Sequence, residues 1–178
     1  MLRLIIVRHA KTVWNITHRL QGVSDIPLCD EGIAAAKEAA AQFDGVKVDR
    51  VFSSPLVRAR ATAELMLGMP YECDDRLAER NFGSLDGTLA DDLTPEQHHN
   101  LFYGMDGVPE AEDAASLFAR TRSFLDNMKA RFDGKTVAVF SHCICISFLL
   151  HAAAHDVWNG GEYEMRYVKN CSLTEVTL

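Results

Sequence analysis

Three strand-like runs constrain this chain more than any other feature. Residues 4–7, 46–52 and 136–140 are rich in β-branched and aromatic residues and too short for helices, so each reads as a strand. Each stops on polar residues: Arg8-His9 after the first, Ser53-Ser54 after the second, Ser141-His142 after the third. The segments between them carry helical patterns. Strands alternating with helices predict an α/β fold: three layers, α/β/α, with a central, mostly parallel sheet flanked by helices on both faces. In such sheets a ligand binds beyond the carboxyl ends of the strands, where these polar residues fall.

The helical segments follow from local signals. Residues 29–43 form an Ala-rich helix, with Asp30 as N-cap and Asp44-Gly45 as its stop. Ser53-Ser54-Pro55 turns the second strand into a helix, with Pro55 in its first turn and Arg58 close behind. A long amphipathic helix spans 110–132, with Leu117, Phe118, Phe124, Leu125 and Met128 as its buried stripe. A nearly all-apolar helix spans 143–154, and 172–177 alternates like an edge strand. Residues 70–73 predict a short strand. Residues 88–108 read as a solvated lid or insert. The adjacent His98-His99 point to different sides of a helix, which argues against a metal pair.

A length of 178 residues suits one domain, residues 1–178, with a core that needs no metal or disulfide. No run of eighteen apolar residues exists, and the first residues lack a signal-peptide pattern, so no membrane segment is expected. Five cysteines, odd in number and not spaced for a metal, fit reduced thiols in a cytoplasmic protein. A net charge of −7 argues against nucleic acid, but not against a small anionic substrate held by a local field.

If the three strands are parallel neighbours, Arg8, His9, Arg58 and His142 converge on one crevice. Two guanidinium forks suit the oxygens of a phosphoryl dianion. A neutral imidazole beside them has a lone pair with which to act as nucleophile. In the loop after the first strand, Asn15, Arg19 and Gln21 can donate hydrogen bonds to an anion. Glu79 lies in an irregular, turn-rich segment and is its candidate acid.

These residues resemble the histidine phosphatase superfamily, also called phosphoglycerate mutase-like. The resemblance runs through residues 8–15, then 19–22, Ser24-Asp25, Pro27-Leu28 and Glu31-Gly32. It continues through 53–59 with 62–64, then 79–83 with Asp86-Gly87, and ends at Ser141-His142. It implies that His9 is the phosphorylated nucleophile and that Arg8, Arg58 and His142 hold the phosphoryl oxygens, assisted by Asn15. It implies Glu79 as general acid and then base, and neither metal nor cofactor. Two positions depart from the family pattern. Ala10 replaces the signature glycine and is expected to crowd the loop. Cys143 replaces the glycine after the second histidine and is expected to narrow the pocket. Gln21 and Cys143 complete the expected substrate-binding set. His142-Cys143 also resembles the start of a cysteine-phosphatase loop, but Leu149 stands where that loop needs arginine.

The expectation is a metal-independent phosphomonoesterase acting on a small phosphorylated metabolite, of the α-ribazole phosphate or sugar phosphate type. A phosphoglycerate mutase is the alternative, and a non-catalytic phosphate-binding protein the third reading. The sequence leaves the oligomeric state open.

Overall fold

In the computed structural model, which describes residues 1–103, 107–160, 163 and 165–178, the three runs become parallel neighbours. β1 (Arg3–Arg8) lies beside β4 (Thr136–Ser141), and β4 lies beside β2 (Arg50–Ser53). β3 (Glu72–Cys73) extends the sheet past β2, and β5 (Leu173–Thr177) closes the other edge antiparallel to β1, giving the order β3-β2-β4-β1-β5. The second strand is shorter than the run that announced it. Asp49 is spent outside the ladder, its carboxylate accepting from the Thr136 amide at 2.9 Å, and the chain enters the sheet at Arg50.

Strand alternation sends side chains to both faces. Leu4, Ile6, Phe52, Val137 and Val139 pack on one side with α5 (Ala114–Phe132) and α6 (Cys143–Ala154). Ile5, Val7, Val51, Ala138 and Phe140 pack on the other with α2 (Asp30–Ala39) and α3 (Val57–Met66). The layers are therefore α/β/α. All five residues of the expected stripe on α5 are buried, and α6 has the expected bounds.

The helix ends differ from their expected positions. Cys29, not Asp30, is the N-cap of α2; its backbone is extended and its carbonyl accepts from Ile33. Asp30 instead lies in the first turn, where its charge suits the positive helix end. A 3-10 turn, Ala40–Phe43, completes that helix. Pro55 lies outside α3, and the first amide of α3, that of Val57, donates to the Asp25 carboxylate at 2.6 Å. α5 starts at Ala114 rather than 110, because Asp113 caps it through Ser116 and Glu110 sits at φ 62, outside helical space. The stretch 88–108 holds a helix that the sequence reading lacked, α4 (Pro95–Phe102), started by a capping box between Thr94 and Gln97. Residues 104–106 of that stretch lie outside the described residues.

One glycine fixes how α2 meets the loop after β1. A Cβ on Gly32 would stand 2.0 Å from the Lys11 carbonyl oxygen, so only glycine allows this approach. Lys11 is held there by the Cys29 amide as well, at 3.1 Å.

Candidate active site

Strand register builds the centre of the site. Arg8 pairs with Ser141 at the ends of β1 and β4, so His9 and His142 leave the sheet side by side. Their ring centroids are 5.0 Å apart, and the His9 amide donates to the Ser141 carbonyl at 3.0 Å. Ser54, beyond β2, is tied to the same sheet end through its amide and the Phe140 carbonyl, 2.9 Å away.

Each histidine has a defined tautomer. Nδ1 of His9 lies 2.7 Å from its partner, the Ala10 carbonyl, and a carbonyl only accepts; Nδ1 therefore carries the proton and Nε2 the lone pair. Burial, reinforced by the nearby Arg58 and Arg8 cations, lowers the His9 pKa well below its ordinary value of 6.5. The ring is thus neutral, with a nucleophilic nitrogen, at neutral pH. His142 has the opposite arrangement. Its Nδ1 accepts from Arg58 Nε at 3.2 Å, so its Nε2 bears hydrogen and donates to Ser54 Oγ at 2.7 Å. Burial, followed by Arg58, also lowers its pKa well below 6.5.

Arg58 is fully buried, and its fork is committed to protein. Besides His142, it donates to the carbonyls of Ser24 and Gly22, each at 2.7 Å. Asp86 holds the same loop from the other side, accepting from the amides of Gly22 and Ser24 and from the Ser24 hydroxyl. Burial pulls the Arg58 pKa down to about 10, against the stabilising charges of Glu79, Asp25 and Asp86.

Arg8 is placed differently. One of its terminal nitrogens donates to the Val168 carbonyl at 2.6 Å, and its guanidinium stacks 5.3 Å from the Tyr167 ring centre. Its buried Nε has no hydrogen-bond partner among the described residues. A buried charged donor without a partner is costly, and an oxyanion would satisfy it. Asn15 and Gln21 are oriented from behind by Thr12: Asn15 Oδ1 accepts from its amide at 3.0 Å, and Gln21 meets its hydroxyl at 2.8 Å. The short helix α1 (Val13–Ile16) carries Asn15 to the site.

Glu79 sits where α6 begins. Its Oε1 accepts from the amides of Arg80 and Cys145, both at 2.9 Å, and its Oε2 from Ile144 at 3.2 Å. Of the first three amides of α6, only that of Cys143 is not claimed by this carboxylate. Arg80 secures the segment. It is fully buried and donates to the carbonyls of Glu112 and Leu101, tying Glu79 to the end of α4. Arg120, paired with Glu112, adds donations to the Arg76 and Glu79 carbonyls.

A pocket of about 310 Å³ opens over this centre, lined by Arg8, His9, Asn15, Arg19, Gln21, Glu79 and Cys143 among the expected residues. Arg58 and His142 do not line it. Arg58 donates to His142, and the His142 ring packs against that of His9. Arg19 lies at the rim with one nitrogen spent on the Gly87 carbonyl. The expected crowding by Ala10 does not occur: Ala10 is buried in the core cluster on the α2–α3 side, and its amide donates to Thr62 Oγ1. Cys143 does reach the pocket wall, with Sγ 3.8 Å from the Val168 carbonyl.

The sequence reading missed the rest of the wall. Phe82, His98, Phe102, Tyr103, Met165 and Tyr167 line the pocket. No periodicity marks the stretch containing Met165 and Tyr167, which is tied to the site by Arg8 donating to the Val168 carbonyl, Asn170 to the His9 carbonyl at 2.7 Å and the Arg166 amide to Ser147 Oγ. Among the described residues, no group of three or more His, Cys, Asp or Glu side chains is placed to hold a metal ion.

A model of the histidine phosphatase superfamily (branch 1) matches residues 4–178. The chain belongs to this superfamily. The probable phosphoglycerate mutase GpmB of Yersinia pestis (strain Pestoides F) is 33% identical over 188 residues, spanning 99% of this chain and 85% of that protein. The phosphoglycerate mutase from Thermus thermophilus superposes with a TM-score of 0.78 at 30% identity, covering 98% of this chain and 92% of its own. Bacillus stearothermophilus YhfR superposes with a TM-score of 0.88, covering 100% and 92%; at 24% identity it speaks for the fold. Histidine phosphatases are phosphatases or mutases that work through a phosphohistidine. Of the two histidines at the strand ends, His9 lies on the pocket wall, with its lone pair on Nε2.

Proposed function

We propose that this chain is a phosphomonoester hydrolase that acts on a small phosphorylated metabolite through a phosphohistidine on His9. The carrying observation is the neutral His9 ring, with its proton fixed on Nδ1 by the Ala10 carbonyl, beside an Arg8 Nε that has no partner among the described residues. Arg8, Asn15 and Gln21 would hold the phosphoryl dianion. Nε2 of His9 attacks phosphorus, the bond to the ester oxygen breaks, and Glu79 gives that oxygen a proton. Oε2 accepts from one amide where Oε1 accepts from two, so Oε2 has the room to carry it. Water then attacks the phosphohistidine, giving its proton back to Glu79 and releasing phosphate. Burial, with the Arg58 and Arg8 cations nearby, keeps His9 neutral before attack.

Hydrolysis is favoured over mutase action by the cover of the site. α4 spans eight residues, and Tyr103 and Tyr167 at the mouth remain 52% and 69% exposed, so water has access. A mutase has to shield the phosphoenzyme from water. The mutase reading keeps support from the names of the relatives. Incubation with 3-phosphoglycerate separates the two: phosphate release faster than isomerisation supports the hydrolase, and the reverse overturns it. The five free thiols support a cytoplasmic location, and no helix among the described residues is long and apolar enough to cross a membrane.

A further inference from the structure

We propose that the pocket selects phosphomonoesters whose leaving group carries a planar, uncharged ring, with Tyr103 as a specificity-determining residue. The proposal rests on the hydrolase reading and concerns the apolar lining of the pocket. Beside the polar donors around His9 and Arg8, the pocket is walled by Phe82, Phe102, Tyr103, Ile144, Met165 and Tyr167, the last with its ring centre 5.3 Å from the Arg8 guanidinium. His98 extends this wall, its ring 4.9 Å from that of Phe102. Tyr103 and Tyr167 are among the few large apolar side chains that stay exposed, and both do so at this mouth. Aromatic surface left in water at the mouth of a pocket is covered at a gain by a ring that stacks on it.

Charge points the same way. A leaving group with its own carboxylate, such as that of a phosphoglycerate, needs a second cation. Arg8 is engaged by the phosphoryl end, Val168 and Tyr167, and Arg19 at the rim already gives one nitrogen to Gly87. A pocket of about 310 Å³ has room for a phosphoryl group and a single ring system.

Phosphate release from phenethyl phosphate, propyl phosphate and 3-phosphoglycerate tests this with the full-length protein. The leaving alcohols differ little in basicity, so the ratio of kcat/KM values reports recognition rather than bond cleavage. Covering one ring predicts phenethyl phosphate to exceed propyl phosphate by about 10–100-fold, carried mainly by KM. Tyr103→Ala should reduce that ratio by about 3–10-fold, and Tyr103→Phe should keep it. Tyr103 is half exposed, so neither substitution threatens the core. A phenethyl-to-propyl ratio near one, or a preference for 3-phosphoglycerate, overturns the inference while leaving the hydrolase reading standing. An unchanged ratio in Tyr103→Ala removes Tyr103 from its role. If none of the three esters releases phosphate and no phosphohistidine can be trapped, the hydrolase reading falls and the inference with it.

Discussion

Replacing Glu79 by glutamine separates its proton from its hydrogen bonds. The carboxylate accepts from three backbone amides, two on Oε1 and one on Oε2. A glutamine oxygen can keep the pair from Arg80 and Cys145, but its NH₂ then faces the Ile144 amide, donor against donor. Losing one buried acceptor costs about 1–3 kcal/mol. For a chain of 178 residues the melting temperature falls about 2–4 °C for each kcal/mol. The variant should therefore fold with a modest shift. Loss of general acid catalysis removes about 10²–10⁴-fold from esters that need protonation. Phenethyl and p-nitrophenyl phosphate both carry a ring, but only the nitrophenolate leaves without a proton. Rapid quench should show phosphoenzyme formation slowed severely with the first and mildly with the second. Attack by water would still lack its base, so p-nitrophenyl phosphate should give a burst of nitrophenol followed by a slow steady state. Equal slowing of both esters with no burst would refute Glu79 as proton carrier and leave it the structural role of capping α6.

His9→Ala should abolish an acid-labile, base-stable phosphoryl label while the wild type retains it in the presence of chelators; label in the variant would refute His9 as nucleophile. Stability should fall as pH drops below 6.5, because His9 and His142 stay neutral in the fold while the unfolded chain takes up their protons. The loss, up to about 1.4 kcal/mol per pH unit for each histidine, ends once pH passes below the depressed folded values; urea midpoints at several pH values, with a shallower slope in His142→Gln, check it. Arg58→Met should destabilise by about 3–5 kcal/mol, since the Gly22 and Ser24 carbonyls and the charges of Asp25 and Asp86 lose their partner; equilibrium unfolding measures this. Gly32→Ala should displace the loop at Lys11 and lower both melting temperature and kcat, because its methyl group would meet the Lys11 carbonyl at 2.0 Å.

The strands, the long helix and the histidine at the end of β1 were legible in sequence because each depends on near neighbours. A run such as residues 4–7 signals a buried strand by composition, and the stripe on α5 signals its buried face by period. Helix ends were less legible because distant groups set them. Asp25 serves α3 from another loop, and Asp113 starts α5 where the pattern alone suggested an earlier turn. The division of labour among the cations was not legible at all. Arg8 and Arg58 look alike in the chain, yet register places one on the pocket wall, its Nε without a partner among the described residues, and hydrogen-bonds the other to His142. The wall for the leaving group comes from residues 98–103 and 165–167, far from His9 in sequence and without periodicity. Local sequence sets which residues can do chemistry, through their intrinsic acidity and backbone preference. Which of them meet the ligand depends on long-range pairing, such as Arg8 with Val168 and Arg80 with Leu101, and only the folded chain decides that.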